Sequence, residues 1–197
     1  MSHYFETPRG KADTFLVPMR LWDADVELES SRGVFSGGGL DVGTAVLLRS
    51  CVPPEGPVRL LDLGCGVGPL TIALGLANTD ARITAVDVNE RALALTRANA
   101  DRLGIGERVT TALPADVVAD ELYDEIWSNP PIRIGKQALH ELLDTWLARL
   151  RPEGTARMVV ARNLGADSLA VWLADQGWEC ERVASAKGFR VFAVRRD

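Results

Sequence analysis

A chain of 197 residues with 47% hydrophobic and 25% charged side chains can build a core, which excludes a disordered protein. Its 27 acidic residues outnumber 22 basic ones, a formal charge of −5, so a surface that grips nucleic acid all over is excluded and only local basic patches remain. No segment reaches the ~18–20 apolar residues of a membrane span, Met1–Lys11 holds no signal-peptide core, and Cys51, Cys65, Cys180, His3 and His140 lack metal-ligand spacing; a cytoplasmic protein without membrane contact or metal is expected.

Residues 1–39 read as an N-terminal extension with one or two short strands. They carry aromatic clusters (Tyr4, Phe5, Phe15, Trp22, Phe35) among turn residues such as Pro8, Gly10, Pro18 and Gly33. The alternation Val26-Glu27-Leu28-Glu29 predicts a half-exposed strand. Ser36-Gly37-Gly38-Gly39 lets the backbone turn or approach something closely.

Residues 40–197 read as one domain of alternating elements. Leu40–Cys51 has helical spacing and stops before Pro53-Pro54, and Val58–Leu63 is an apolar run typical of a buried parallel strand. Pro69–Ala77 predicts a helix with proline in its first turn. Strand Ile83–Asp87, helix Glu90–Leu103, and strands Val109–Leu113 and Glu125–Ser128 follow. Then come helix Gln137–Leu150, strand Ala156–Ala161 and helix Ala166–Gln176, with Gly177 as its stop. Trp178–Ser185 and Phe189–Val194, flanking Lys187-Gly188, predict a closing antiparallel hairpin. The fold class is therefore α/β, Rossmann-like, a mostly parallel sheet with helices on both faces and ligands beyond the strands' carboxyl ends.

The first of these parallel strands ends in Asp62-Leu63-Gly64-Cys65-Gly66-Val67-Gly68-Pro69. Glycines at a strand-to-helix turn let a ligand lie against bare backbone, although a tight turn alone would use them too. A dinucleotide fingerprint GxGxxG would need glycine where Pro69 stands, and the Asp62 carboxylate would repel a pyrophosphate but welcome a cation. S-adenosylmethionine fits, having sulfonium and ammonium charges and no phosphate. Asp87 ends the next strand, 19 residues after Gly68, where it can accept both ribose hydroxyls, with Val88 beside it. Asp116 follows the third strand, and is either an acceptor for the adenine amino group or a solvated loop residue. The expected cofactor contacts are Asp62, Gly64, Cys65, Gly66, Gly68, Asp87, Val88, Asp116 and Asn129.

The fourth strand runs into Ser128-Asn129-Pro130-Pro131-Ile132. Two prolines stiffen the backbone, remove two N–H donors and leave carbonyls, to which Asn129 adds a side-chain carbonyl. This acceptor-rich corner can hold an amino group by both hydrogens and aim its lone pair outward. Orientation of that kind can contribute several of the ~7–11 kcal/mol available to well-placed reactants. Asn129, Pro130 and Pro131 are the candidate catalytic residues.

Together these pieces resemble the class I S-adenosylmethionine-dependent methyltransferases, and within them the small methyltransferase domain of the ribosomal RNA small subunit methyltransferase C family. The resemblance runs over nearly the whole chain: His3-Tyr4-Phe5, Gly33-Val34-Phe35-Ser36, Gly39–Thr44, the glycine motif, Asp87–Ala92, Ser128–Pro131 with Gly135, and Lys187–Val191. It implies a seven-stranded sheet whose last strand is antiparallel, and methylation of the 2-amino group of a guanine in 16S rRNA.

Two departures stand out. Ile132 occupies the position where many amino methyltransferases stack an aromatic ring on the base, worth ~1–3 kcal/mol. Phe35, Tyr4 or Phe5 would replace it, unless they only pack in the core. The best-known members also carry two such domains, so RNA recognition here would rest on residues 1–39 or on a partner. Arg133 and Lys136 follow the corner where a nucleotide's backbone would pass, and are candidate phosphate contacts beside Phe35 and Ile132 as substrate contacts. A protein glutamine-amide methyltransferase suits the same corner. A nicotinamide oxidoreductase is disfavoured by Asp62 and Pro69, and a non-catalytic RNA-binding module would have no need of the corner.

Overall fold

The computed structural model describes residues 13–32, 34, 39–131 and 134–196. Two strands, β1 (Thr14–Leu21) and β2 (Ala24–Ser31), form an antiparallel hairpin. Helix α1 (Val42–Ser50) leads into β3 (Arg59–Leu63), α2 (Pro69–Ala77), β4 (Arg82–Val86), α3 (Glu90–Arg102), β5 (Val109–Ala112) and β6 (Tyr123–Ser128). Helix α4 (Lys136–Leu147), β7 (Leu150–Ala161), α5 (Ala166–Asp175), β8 (Trp178–Ala186) and β9 (Phe189–Arg196) complete the chain.

Strands β3 to β9 make one sheet in the order β5-β4-β3-β6-β7-β9-β8, parallel except that β9 runs against both neighbours. The strand order reverses between β3 and β6, and a crevice opens there because the chain leaves the two strands in opposite directions. Strand alternation sends Leu60 to the face covered by α1, α2 and α3, and Leu61 and Leu63 to the face covered by α4 and α5. Each face buries its own apolar core.

The expected Rossmann-like sheet with a final antiparallel strand is present. Several bounds shift by a residue or two, and the largest difference lies where α4 gives way to β7, which begins six residues before the expected Ala156. Leu143, Trp146, Leu147 and Leu150 keep helical spacing, which extends the predicted helix to Leu150, but α4 stops at Leu147. Leu150 instead pairs with Tyr123 and starts β7, since burying it in the sheet also satisfies its backbone.

The hairpin joins the α1–α3 face rather than standing apart. Val17, Met19, Leu21 and Leu28 are buried with that core. Trp22, at the tip with φ 47°, donates its indole N–H to the carbonyls of Leu48 (2.6 Å) and Cys51 (3.0 Å), closing the end of α1. Its ring meets the buried Trp127 edge-on at 5.8 Å. Asn99 of α3 accepts from Glu29 N–H (2.7 Å) and donates to the carbonyls of Glu29 and Val67 (3.0 Å each), tying β2 to the glycine turn after β3. Among the described residues, no helix is long and apolar enough to cross a membrane, and no cluster of His, Cys, Asp and Glu could hold a metal ion.

Candidate active site

The glycine turn leaves β3 with φ values of 79° at Gly64, 58° at Gly66 and 91° at Gly68. A left-handed backbone favours glycine at all three, and Gly68 is constrained further because a Cβ there would lie 3.0 Å from Thr96 Oγ1 and Cγ2. Thr96 uses that closeness to donate to the Gly66 carbonyl (2.9 Å). The amides of Gly64 and Cys65 bond the Val86 carbonyl (2.8 and 3.0 Å), which locks the turn to the end of β4.

Asp87 follows directly. Its Oδ2 accepts from Gly66 N–H (3.0 Å) and its Oδ1 from Asn89 N–H (2.9 Å). Each oxygen keeps a further lone pair, so the carboxylate can take two more donors from a ligand. Asn89 in turn caps α3 through Arg91 N–H (3.0 Å).

A cavity of about 300 Å³ lies along this turn. Gly64, Gly66, Asp87 and Val88 form one side, and Asn129 and Pro131 form the other, over apolar surface that includes Leu142 and Trp146. The two sides nearly touch, since a Cβ on Gly64 would stand 3.9 Å from Pro131 Cδ. Ser128 Oγ donates to the Leu63 carbonyl (2.7 Å), which fixes the end of β6 against β3 just before the corner. Pro130 is buried, and the Pro131 carbonyl is engaged by Ile134 N–H (3.1 Å), so it closes the turn and is not a free acceptor. Asn129 Nδ2 donates to Asp41 Oδ1 (2.7 Å) and Thr44 Oγ1 (3.1 Å), both at the start of α1.

Of the cofactor contacts expected from sequence, Gly64, Gly66, Asp87, Val88 and Asn129 line this cavity. Asp62 does not. It is fully buried, pointing to α2, where its Oδ2 accepts from Thr71 N–H (2.9 Å) and Oγ1–H (2.6 Å). Burial pushes its carboxyl up to about 7, against the pull of the Thr71 bonds, and Asp87 adds to the rise. Its Oδ1 is buried without a partner among the described residues. Cys65 packs with Ala85 and Leu93, its thiol pushed well above the usual range by burial, and Gly68 supports the turn from behind. Asp116 is exposed two residues past the lining residue Pro114.

Among the expected substrate contacts, Phe35, Ile132 and Arg133 lie outside the described residues, as do Tyr4 and Phe5. Lys136 is exposed on a separate hollow with His140 and Ser168. Sequence reasoning missed Trp146, whose helical register reads as core, and the pairing of Asn129 with Asp41 and Thr44. Asp41 carried a signal, since an aspartate just before the apolar run of α1 is a helix cap, and it does accept from Thr44 N–H (3.1 Å).

The comparisons with known proteins agree with this geometry. The family model of the methyltransferase small domain matches residues 25–193. An uncharacterised Bacillus subtilis protein, YbxB, is 31% identical over 196 residues, 98% of each chain. The ribosomal RNA small subunit methyltransferase C of Ectopseudomonas mendocina is 32% identical over 96% of this chain, which spans 57% of that protein. Against such rRNA methyltransferases the chain covers about half of their length. In fold it is similar to the T. thermophilus 16S rRNA N2 G1207 methyltransferase, solved with AdoMet and guanosine, at TM-score 0.77 and 19% identity, over 96% of this chain and 52% of that one. A ribosomal protein L11 methylase from Lactobacillus delbrueckii subsp. bulgaricus shares the fold at TM-score 0.59 and 21% identity, over 79% of this chain and 76% of that one. The chain belongs to the methyltransferase small domain family.

Proposed function

We propose that this protein methylates the 2-amino group of a guanine in 16S rRNA, with S-adenosylmethionine as cofactor. The observation that carries the reading is the Asn129-Pro130-Pro131 corner facing the glycine turn across one cavity, close enough to bring an amine and a sulfonium methyl together. The residues present suit that cofactor. Asp87 keeps lone pairs for two ribose hydroxyls beside the Gly66 amide, and Val88 and Pro114 offer apolar surface for a base. The unpartnered Asp62 Oδ1, one residue before the lining residue Leu63, supplies buried negative character for a cation's ammonium.

When bound, the cofactor would supply an electrophilic methyl carbon and would keep the electrons of its carbon–sulfur bond, leaving a neutral thioether, once the amine had taken the methyl group. Asn129 Oδ1 and the Pro130 carbonyl accept the two amine hydrogens, which draws the nitrogen lone pair out of conjugation. They are weak bases, so the proton released after transfer passes to water. The apolar walls around the corner keep water from competing for the amine.

The rim supports a polyanionic substrate. Asp87, Glu90 and Asp116 follow strands β4 and β5, whereas the exposed Lys136, Arg162 and Lys187 follow β6, β7 and the β8–β9 turn. Arg190 on the same side is paired with Asp167. A cationic cofactor and a phosphate backbone thus find opposite fields on one edge. Relatives named as rRNA methyltransferases favour the same substrate.

The test is incubation of the purified protein and methyl-labelled cofactor with naked 16S rRNA and with small subunits from a strain lacking the protein. N2-methylguanosine in the digested RNA is expected. Label appearing only in ribosomal protein, or in another nucleoside, overturns the assignment.

A further inference from the structure

The first turn of α1 is built into the corner, although Asp41 lies 88 residues upstream of Asn129. Asp41 Oδ1 accepts from Asn129 Nδ2 at 2.7 Å and Thr44 Oγ1 accepts from the same nitrogen at 3.1 Å. The fit leaves no room for a side chain between them. A Cβ on Gly43 would come within 3.0 Å of Phe189 Cε1, 3.1 Å of Asp41 Oδ1 and 3.3 Å of Asn129 Nδ2. An amide nitrogen has two hydrogens, and both are consumed here.

We propose that Asp41, seconded by Thr44, is a positioning residue that fixes the Asn129 amide so that the corner presents acceptors only. A carboxylate on the nitrogen side forbids the flipped amide, because Asn129 Oδ1 would then face a negative oxygen. The charge-assisted bond to Asp41 also shifts electron density toward Asn129 Oδ1, which strengthens it as an acceptor. A substrate must therefore bring two N–H groups. A ring nitrogen or an enolate oxygen would meet lone pairs. The inference rests on the amino-methylating reading above and adds how the site selects an amine.

Asp41 also caps α1 through Thr44 N–H, so the test separates the two roles. Serine caps a helix about as well as aspartate but is too short to reach Asn129, whereas asparagine keeps an acceptor for both. Asp41→Ser is expected to lower kcat at least tenfold, with cofactor affinity unchanged and a melting temperature within about 2 °C of wild type. Asp41→Asn keeps the acceptor but not the charge that forbids the flip, and is expected to recover only part of that loss. Thr44→Val removes the second acceptor and spares the cap, and is expected to lower kcat about three- to tenfold by the loss of one neutral hydrogen bond. Should Asp41→Ser turn over like wild type, or should Asp41→Asn be as slow as Asp41→Ser, the positioning role is overturned. Wild-type protein that methylates no amine at all overturns the functional reading instead.

Discussion

Replacing Asp62 with asparagine isolates the electrostatics beneath the glycine turn. The carboxyl is fully buried, and burial is the main cause of its rise from 3.8 to about 7. Because the folded value is the higher one, the native protein keeps a proton that the unfolded chain has already released. The contribution is fully present below pH 4 and is lost as pH climbs toward 7. Three units at about 1.4 kcal/mol each put the loss at about 4 kcal/mol. Asparagine still offers Thr71 an acceptor and cannot ionise. Asp62→Asn should therefore exceed wild type in stability by up to about 4 kcal/mol at pH 8, or about 8–16 °C in melting temperature for a chain of this size, with the advantage shrinking toward pH 4. Melts of both proteins across that range, without ligand, measure it. Parallel profiles would refute the argument, since the pH dependence would then lie with other groups. The same substitution should weaken S-adenosylmethionine binding at pH 8, because it removes the charge that the ammonium restores.

Asn129→Ala removes one acceptor from the amine and should lower turnover about 10–100-fold while calorimetry shows unchanged cofactor affinity; equal loss of both would reject its role at the target nitrogen. Asp87→Ala leaves the Gly66 and Asn89 amides unpaired and withdraws the ribose acceptors, so cofactor affinity should fall about 10–100-fold in the same titration. Unchanged affinity would place the cofactor elsewhere. Gly68→Ala forces a side chain to φ 91° against Thr96 and should destabilise the protein by about 1–3 kcal/mol in denaturant titration; a neutral result would mean that the turn relaxes freely.

Much of the site was legible because its backbone demands are local. Glycines after Leu63, the aspartate ending β4 and the two prolines after β6 act through conformations and acceptors that short segments carry with them. The run Pro69–Ala77 predicts α2 to the residue, since proline opens it and its apolar side chains close it. Where spacing alone was the guide it failed at Leu150, because one apolar residue suits a helix face or a strand equally until Tyr123 pairs with it.

Sequence by itself thus determined the order of strands and helices, the two turns that face the cavity and the acceptor chemistry of the corner. Tertiary structure alone decided which partners those groups meet. Asp62, expected at the cofactor, turns its Oδ2 toward Thr71 because residue 62 falls on the α2 side of the pleat, and Asp41, which spacing places inside the run of the first helix, caps that helix and reaches Asn129. Contacts between residues 88 positions apart have no local signature; they exist only once the sheet brings the start of α1 and the end of β6 to the same edge.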